Sequence, residues 1–338
     1  MPCTIGFELF MMTGSSEPVA KAIPAMTSKK PEDTPSLPAT EAFDPRFAGI
    51  DHLPVTDALQ MQLMAQAEAI KAVEAAIPDI DKAVKAATEA LRNNPRGRLI
   101  YVGAGTSGRI GIQDGSELTP TFNWPTDRVA YVMAGGLKAV LKAVERAEDN
   151  TRRAEVAIIR LKVKPGDVVI GMAASGTTPF TIAALKRARI LGATTIGIAN
   201  SADAPLLDAA EFPICLNTGA EAIAGSTRMK AGTAQKITLN MISTQIMIGL
   251  NHVYDGLMVD MRATNEKLMK RAARMVRHVT GCNAKEAEMA LNAVQGRVKP
   301  AILVALGAGV TSAHAALEHN DDNLRAAIRA LNLSPPKP

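Results

Sequence analysis

Apolar residues recur with a helical period in the part of the chain that follows residue 55. Over residues 55–91 leucine, isoleucine, valine and alanine return every three or four positions, which predicts amphipathic helix. Pro78 interrupts this segment, and because proline breaks a helix from within, we expect two helices rather than one. The methionine-containing stretch over residues 241–247 also has apolar residues at helical spacing, which favours a place in the core over contact with a cofactor.

The pattern changes between residues 98 and 216 to short, uninterrupted apolar runs. These runs occupy residues 98–102, 129–133, 167–172, 194–199 and 211–216. Continuous runs are typical of strands covered on both faces, and strands that alternate with helices form parallel sheets with right-handed crossovers. The sequence therefore predicts an α/β fold built on a doubly wound, five-stranded parallel sheet.

Both ends of the chain differ from this centre. Residues 1–38 are rich in Ser, Thr, Pro and Lys without an apolar period, so we expect a disordered N-terminal extension. We expect one α/β domain with N-terminal helices over residues 39–264, an all-helical C-terminal subdomain over 265–333 and a disordered tail over 334–338. Helical segments of the subdomain are predicted over residues 267–279, 284–294, 300–306 and 323–331, with turns at Gly281, Gly296 and Gly307.

Composition excludes several classes of protein. Three cysteines in 338 residues are too few for a disulfide framework or a four-thiolate zinc site, and the five histidines are isolated, so we expect no metal. No apolar stretch approaches the roughly 20 residues of a membrane span. Since we also find no targeting signal, we expect a cytoplasmic protein with no membrane partner.

The charge balance is mildly basic and by itself does not choose between nucleic acid and a small phosphorylated ligand. Lys and Arg number 38 against 33 Asp and Glu, a net charge of +5, and aromatic residues make up only 3%. A nucleic-acid surface needs clustered cations and rings on which bases stack, whereas this chain has only short basic runs, such as Lys186-Arg187 with Arg189, and few rings. A small positive excess also suits a phosphorylated ligand.

A glycine-rich loop is predicted where the first strand meets its helix. Residues 103–109 spell Gly-Ala-Gly-Thr-Ser-Gly-Arg, which matches the G-x-G-x-x-G pattern of dinucleotide folds. The second strand, however, ends in Met-Ala-Gly-Gly and offers no acid for a ribose. We therefore expect no nucleotide or other cofactor, and direct phosphate or sugar contacts from this loop. Its candidate residues are Gly105, Thr106, Ser107 and Gly108.

A second hydroxyl-rich loop follows the third strand. Pro179 suits the first position of a helix, with Thr178 as its cap. A helix N-terminus with free N–H groups is a ready site for a phosphate monoester. The candidate ligands are Ser175, Gly176, Thr177 and Thr178. The alternative is an ordinary strand-turn-helix connection, which two such loops on neighbouring strands make less favoured.

A third polar segment, residues 219–236, follows the fifth strand. It places Ser226, Thr227, Arg228 and Lys230 at another predicted helix start. Positive charge opposes the helix dipole there, so we infer an anionic ligand or partner. A solvated basic turn is the alternative.

Two glutamates are candidate acid/base groups. Glu117 is predicted just after the helix that the first loop opens, and Glu148 is predicted to end a helix over residues 137–147. A buried carboxyl beside a sugar phosphate is suited to proton transfer, since burial raises its pKa. The alternative is that each is a surface or capping carboxylate.

Residues 98–109, 219–236 and 257–267 resemble the N-acetylmuramic acid 6-phosphate etherases, a family with the SIS (sugar isomerase) fold. The likeness extends over roughly residues 40–330. It implies cleavage of the D-lactyl ether of N-acetylmuramic acid 6-phosphate to N-acetylglucosamine 6-phosphate and D-lactate, without metal or cofactor, by a homodimer that recycles peptidoglycan in the bacterial cytoplasm. The family's two functional glutamates match Glu117 and Glu148.

The resemblance also implies roles for these residues. Glu117 would take the C2 proton and return it to the departing oxygen, with Glu148 assisting proton transfer or positioning water. Ser107, Ser175, Thr177 and Thr178 would hold the phosphate. Two alternatives remain on the residues alone: a non-catalytic SIS regulator that senses a sugar phosphate, and an aldose–ketose isomerase.

The chain departs from the family pattern at several positions. Thr177 stands where the family usually has arginine, and Leu118-Thr119 where it has Cys-Pro. Asp44 replaces an asparagine, and residues 63–66 replace an acidic stretch of the first long helix. These changes bear on which sugar is accepted.

Overall fold

The structure, a computed structural model, describes residues 38–142, 144–261 and 266–336. The predictions for residues 1–37, and for the last two residues of the tail, lie outside the described residues.

A parallel sheet of five strands forms the centre of the fold, as predicted. Its strand order is β2-β1-β3-β4-β5, and each neighbouring pair is parallel. The strands are β1 (Leu99–Gly103), β2 (Val129–Met133), β3 (Val168–Ala173), β4 (Thr194–Ala199) and β5 (Phe212–Cys215). Gly103 pairs with Met133 on one side and Met172 on the other, so the central strands end at the same edge.

Helices cover both faces of the sheet. One face packs against α1 (Val55–Ala75), α2 (Ile77–Asn93), α3 (Gly105–Phe122) and α8 (Lys230–Gly249). The other packs against α5 (Thr151–Arg160), α6 (Pro179–Ile190) and α7 (Pro205–Ala209). Alternate strand residues enter the two cores, so Tyr101 and Met172 lie on the first side and Val102 and Ala173 on the second.

Proline ends the first long helix where the sequence predicted. Pro78 lies in the first turn of α2, directly after the α1 terminus. The missing N–H of proline costs nothing at that position, since no carbonyl would have accepted it.

The C-terminal helices pack around an apolar core of their own. They are α9 (Glu266–Thr280), α10 (Ala284–Ala293), α11 (Val298–Ala305), α12 (Val310–His319) and α13 (Leu324–Ala330). The predicted turns at Gly281, Gly296 and Gly307 all have positive φ. The sequence missed α12, whose buried face consists largely of alanines (Ala313 and Ala316) that give little apolar signal.

The predicted helix over residues 137–147 is wrong. Only Lys138–Leu141 forms an α-helix, α4, and Lys142 is already extended. The Arg109 guanidinium takes the carbonyls of Ala139 and Val140, which a longer helix would need for its next N–H groups. Glu148 instead lies in a short 3₁₀ turn, Ala147–Asp149.

Asp167, the residue directly before β3, is a buried carboxylate whose removal is expected to destabilise the fold. Asp167 is fully buried and accepts from the Arg98 guanidinium at 2.6 and 3.1 Å and from the amides of Arg98 and Lys164. Asp167→Ala leaves these donors unpaired, and we expect it to lower the free energy of unfolding by about 3–5 kcal/mol. Urea denaturation measures this, with Asp81→Ala as the control because the Asp81–Lys85 pair is exposed. Equal losses in the two variants would contradict the prediction.

Candidate functional site

The loops that follow β1 and β3 lie side by side at the carboxyl edge of the sheet. β1 and β3 are neighbours, yet α3 leaves toward one face and α6 toward the other. This divergence opens a crevice between the two loops, and ligands of open parallel sheets bind at such a switch point. The topology therefore brings the first two predicted loops together.

Two glycines of the first loop let α3 approach the end of β1. A Cβ on Gly103 would lie 2.8 Å from the Gly108 Cα, and one on Gly108 would lie 2.3 Å from the Met133 sulfur. Gly105 begins α3 with a φ of +53°. Ser107 is buried in the first turn and Thr106 is half-buried beside it. The G-x-G-x-x-G pattern thus serves close packing of backbone on backbone.

The second loop is preorganised by its own hydroxyls. Ser175 Oγ and Thr177 Oγ1 are 2.9 Å apart, and Ser175 Oγ also accepts from the Thr177 amide at 3.3 Å. Gly176 turns with a φ of +70°, and a Cβ there would collide with Ala204 at 2.2 Å. α6 begins at Pro179, as predicted, and the Thr178 side chain makes no cap hydrogen bond. The hydroxyl of Thr178 is therefore available at the helix N-terminus.

The third segment turns into α8 beside the first loop. A Cβ on Gly232 would lie 3.5 Å from Thr106 Cγ2, so the start of α8 and the first loop are in contact. Ser226 and Thr227 are half-buried in this turn, and Arg228 is exposed. All three predicted loops thus meet along one edge of the sheet.

The structure supplies anionic partners for the basic start of α8 from within the chain. Glu221 is 1% exposed and accepts from the amides of Lys230 and Ala231 at 2.9 and 2.8 Å. Lys230 is fully buried, and its Nζ lies 2.6 Å from the Glu68 carboxylate. The anion inferred from the sequence is therefore present as two glutamates, and Lys230 faces one of them.

Glu68 joins this cluster to the N-terminal segment. The Arg46 guanidinium contacts Glu68 at 2.6 Å and Asp44 at 2.7 Å. Hydrogen bonds from Arg46, with a further one from Lys230, hold the pKa of Glu68 below its usual range. Sequence reasoning missed Glu68 and Glu221 because these contacts join residues far apart in the chain, and each glutamate taken alone reads as a surface residue.

Glu117 lies within α3 rather than after it, and its side chain is exposed. One turn earlier Asp114 is buried and accepts from Tyr101 at 2.8 Å and from Asn240 at 2.7 Å. Burial and the neighbouring Asp114 raise the pKa of Tyr101 well above its ordinary value, so its hydroxyl remains a donor. Asp114 thereby fixes α3 against β1 and α8, and with it the direction in which Glu117 points.

Glu117 lies far along α3 from the first loop, whereas Glu148 lies beside the helix that the second loop opens. Ser107 and Glu117 are ten residues apart on one helix, which at 1.5 Å per residue is roughly 15 Å. Glu148 lies in the turn Ala147–Asp149, which packs against α6, the helix that the second loop opens. Both glutamates are exposed in the single chain, so the burial expected for them is absent there.

Among residues 38–142, 144–261 and 266–336, no group of three or more His, Cys, Asp and Glu side chains is placed to hold a metal ion. No helix in the same ranges is long and apolar enough to cross a membrane.

Comparisons with known proteins agree with this architecture. The glucokinase regulatory protein N-terminal SIS domain matches residues 79–189, and the SIS domain matches residues 155–244. The N-acetylmuramic acid 6-phosphate etherase of Deinococcus radiodurans is 48% identical over 281 residues, 82% of this chain and 91% of the relative. That of Cronobacter sakazakii is 46% identical over 86% of this chain and 97% of the relative.

The chain belongs to the N-acetylmuramic acid 6-phosphate etherase family. A solved phosphoheptose isomerase from Francisella tularensis shares 18% identity with a TM-score of 0.45, over 58% of this chain and all of that one. The fold predicted from the sequence, a doubly wound parallel sheet of the SIS type, is confirmed.

The Arg46–Glu68–Lys230 cluster of this etherase-family chain predicts a pH dependence of stability. The pKa of Glu68 is lower in the folded chain than its ordinary 4.5, so its contribution is fully present above 4.5 and is lost as the pH falls through the folded pKa. We expect the free energy of unfolding of Glu68→Gln to fall less steeply with acidification than that of the wild type. Denaturant titrations from neutral to acid pH measure the two slopes. Glu74→Gln on the same helix is the control, and parallel curves for Glu68→Gln and the wild type would refute the expectation.

Proposed function

We propose that the protein cleaves the D-lactyl ether of N-acetylmuramic acid 6-phosphate, giving N-acetylglucosamine 6-phosphate and D-lactate. The observation that carries the proposal is the match to relatives of that name over nearly their whole length. Glu117, Glu148 and the hydroxyl-bearing loops are present in the same chain. Action in the bacterial cytoplasm, during peptidoglycan recycling, follows from the same resemblance.

The chemistry needs a carboxyl group and no metal. In the open-chain sugar the ether oxygen on C3 is β to the aldehyde, so loss of the C2 proton gives an enolate that expels lactate. The C3–O bond breaks, the departing oxygen takes a proton, and a C2–C3 double bond forms. Water then adds its hydroxyl to C3 and a proton to C2. Glu117 transfers the C2 proton in this proposal, and Glu148 positions or deprotonates the water.

The phosphate lies in the crevice between the first two loops. The N-termini of α3 and α6 converge there from opposite faces of the sheet, each with hydroxyls in its first turn or at its cap. Helix N-termini favour an anion through their free N–H groups and dipole. The proposed side-chain ligands are Ser107, Ser175, Thr177 and Thr178, and the proposed backbone ligands are Gly105, Thr106, Gly108 and Gly176. The edge of the site is formed by Ser226, Thr227 and Arg228. The buried Lys230 holds this third loop in place.

The separation within α3 supports a site shared between two copies of the chain. Roughly 15 Å between Ser107 and Glu117 exceeds the distance from the phosphate to C2 of a hexose. This separation favours a Glu117 supplied by a second chain over the Glu117 of the chain whose loops hold the sugar. We propose a homodimer in which Glu117 of one protomer acts on the sugar held by its partner, and in which the interface supplies the burial that the single chain lacks.

Substitution of the two glutamates tests the activity. We expect Glu117→Gln and Glu148→Gln to release D-lactate about 10²–10⁴-fold more slowly than the wild type, because each loses a proton-transfer group. Glu145→Gln is the matched control, since it is an exposed glutamate three residues from Glu148, and it is expected to retain wild-type turnover. A lactate assay on the phosphorylated and unphosphorylated sugar measures all four proteins. Absence of lactate from the wild type, or equal rates in all variants, would reject the proposal.

Mixed dimers test whether one active site combines the loops of one protomer with Glu117 of the other. Ser107→Asp places a negative charge in the phosphate crevice, while Glu117→Gln removes the base, so each variant alone is inactive. If the site combines the loops of one protomer with Glu117 of the other, half of the randomly mixed dimers carry one intact site. Activity then returns to about a quarter of the wild-type value after subunit exchange. A mixture that stays inactive, with exchange verified by mass, would show that both groups serve one chain's site.

A further inference from the structure

Arg109 is turned away from the phosphate crevice toward the segment that carries Glu148. Its Nε lies 2.9 Å from the Val140 carbonyl, and its Nη2 lies 2.9 Å from the Ala139 carbonyl. The side chain is half-buried and leaves the second turn of α3, two residues after Ser107. It thereby caps the carboxyl end of α4, where a cation is favourable.

Few other groups fix the segment that joins β2 to α5. Leu137 is 82% exposed and Leu141 is 89% exposed, while Ala139 is buried. In the described part of the chain no hydrogen bond or ion pair reaches the Glu148 carboxylate. The position of that carboxylate is therefore set by its backbone and not by contacts of its own.

Packed side chains connect the residues that Arg109 contacts to the turn that carries Glu148. A Cβ on Gly135 would lie 2.9 Å from the Val144 Cβ and 3.0 Å from the Ala139 Cβ, so these three residues are packed together. The Val144 carbonyl accepts from the amide of Ala147, the residue before Glu148. On its other side the Ala147–Asp149 turn packs against α6. Arg109 therefore acts on the turn indirectly, through the packing of Ala139 and Val144, whereas α6 contacts the turn itself.

We propose that Arg109 is a positioning residue that fixes the backbone of the Glu148 segment relative to the phosphate-binding turn of α3. The proposal rests on the proposed function, since it assigns Arg109 an effect through Glu148. Because Arg109 and Ser107 share one rigid helix, the Arg109 guanidinium, together with α6, sets the distance from the phosphate-binding turn to the Glu148 turn. Small displacements of a catalytic group cost about 10²-fold in rate, so this tether is expected to show in kcat.

A double-mutant cycle tests the proposal. We expect Arg109→Met to lower kcat for D-lactate release by about 10²-fold with little change in KM, and to have no further effect in a Glu148→Gln background. A direct phosphate ligand would instead raise KM and act equally in both backgrounds, and that result would overturn the proposal. Wild-type activity is measured first, so that failure of the etherase function is distinguished from failure of this inference.

A matched control separates positioning from loss of fold. Arg128 is also half-buried and donates to a backbone carbonyl, that of Gly97 at 2.7 Å, but at the opposite edge of the sheet. Arg128→Met is expected to lower the melting temperature and to leave the kcat of the folded fraction unchanged. Addition of guanidinium to Arg109→Ala is expected to restore part of kcat. A folded Arg109→Ala that guanidinium does not restore, or a kcat loss in Arg128→Met equal to that in Arg109→Met, would overturn the inference.

Discussion

The backbone contact between Gly103 and Gly108 sets the position of everything that α3 carries. Neither glycine has room for a side chain, because the helix backbone lies directly on the end of β1 and on the Met133 side chain of β2. A helix pinned so closely at its first turn cannot slide along the strand. The position of α3 therefore fixes the positions of Ser107, Arg109, Asp114 and Glu117 relative to the sheet. The proposed phosphate-binding turn, the proposed tether of the Glu148 segment and the proposed base all take their position from this contact.

The third loop depends on a different kind of interaction. Lys230 is fully buried, and a buried ammonium is tolerated only with a carboxylate partner, which Glu68 provides from α1. Glu221 takes the first two amides of α8, so the helix start is already neutralised from within. The pair Lys230–Glu68 fixes α1 against the start of α8, and the pair Arg46–Glu68 joins the segment before α1 to the same cluster. The basic segment that looked like a ligand site is in part a structural anchor for the loops beside it.

The sequence was sufficient where one local rule decides the structure. The five strands are continuous apolar runs, and Pro78 and Pro179 occupy helix positions that proline prefers. The sequence was insufficient where the local structure is decided by a residue far away along the chain. The helix predicted over residues 137–147 ends early because Arg109, some thirty positions before, takes its carbonyls. The pairing of Lys230 with Glu68 spans more than half the described chain and leaves no periodic signal.

The departures from the family pattern are not equal in their consequences. Leu118 is buried in the core beneath the sheet, and the Thr119 hydroxyl donates to the Trp124 carbonyl at 2.8 Å, so both face inward. Asp44 accepts from the Arg46 amide and starts a short 3₁₀ turn, a capping task that asparagine also performs, but its ion pair with the Arg46 guanidinium at 2.7 Å needs a carboxylate. Thr177 differs from these, because it is exposed at the crevice between the first two loops, and among the described residues its side chain hydrogen-bonds only with the neighbouring Ser175. In the proposed phosphate site, threonine in place of arginine removes a positive charge, and this leaves a larger share of anion binding to the two helix N-termini.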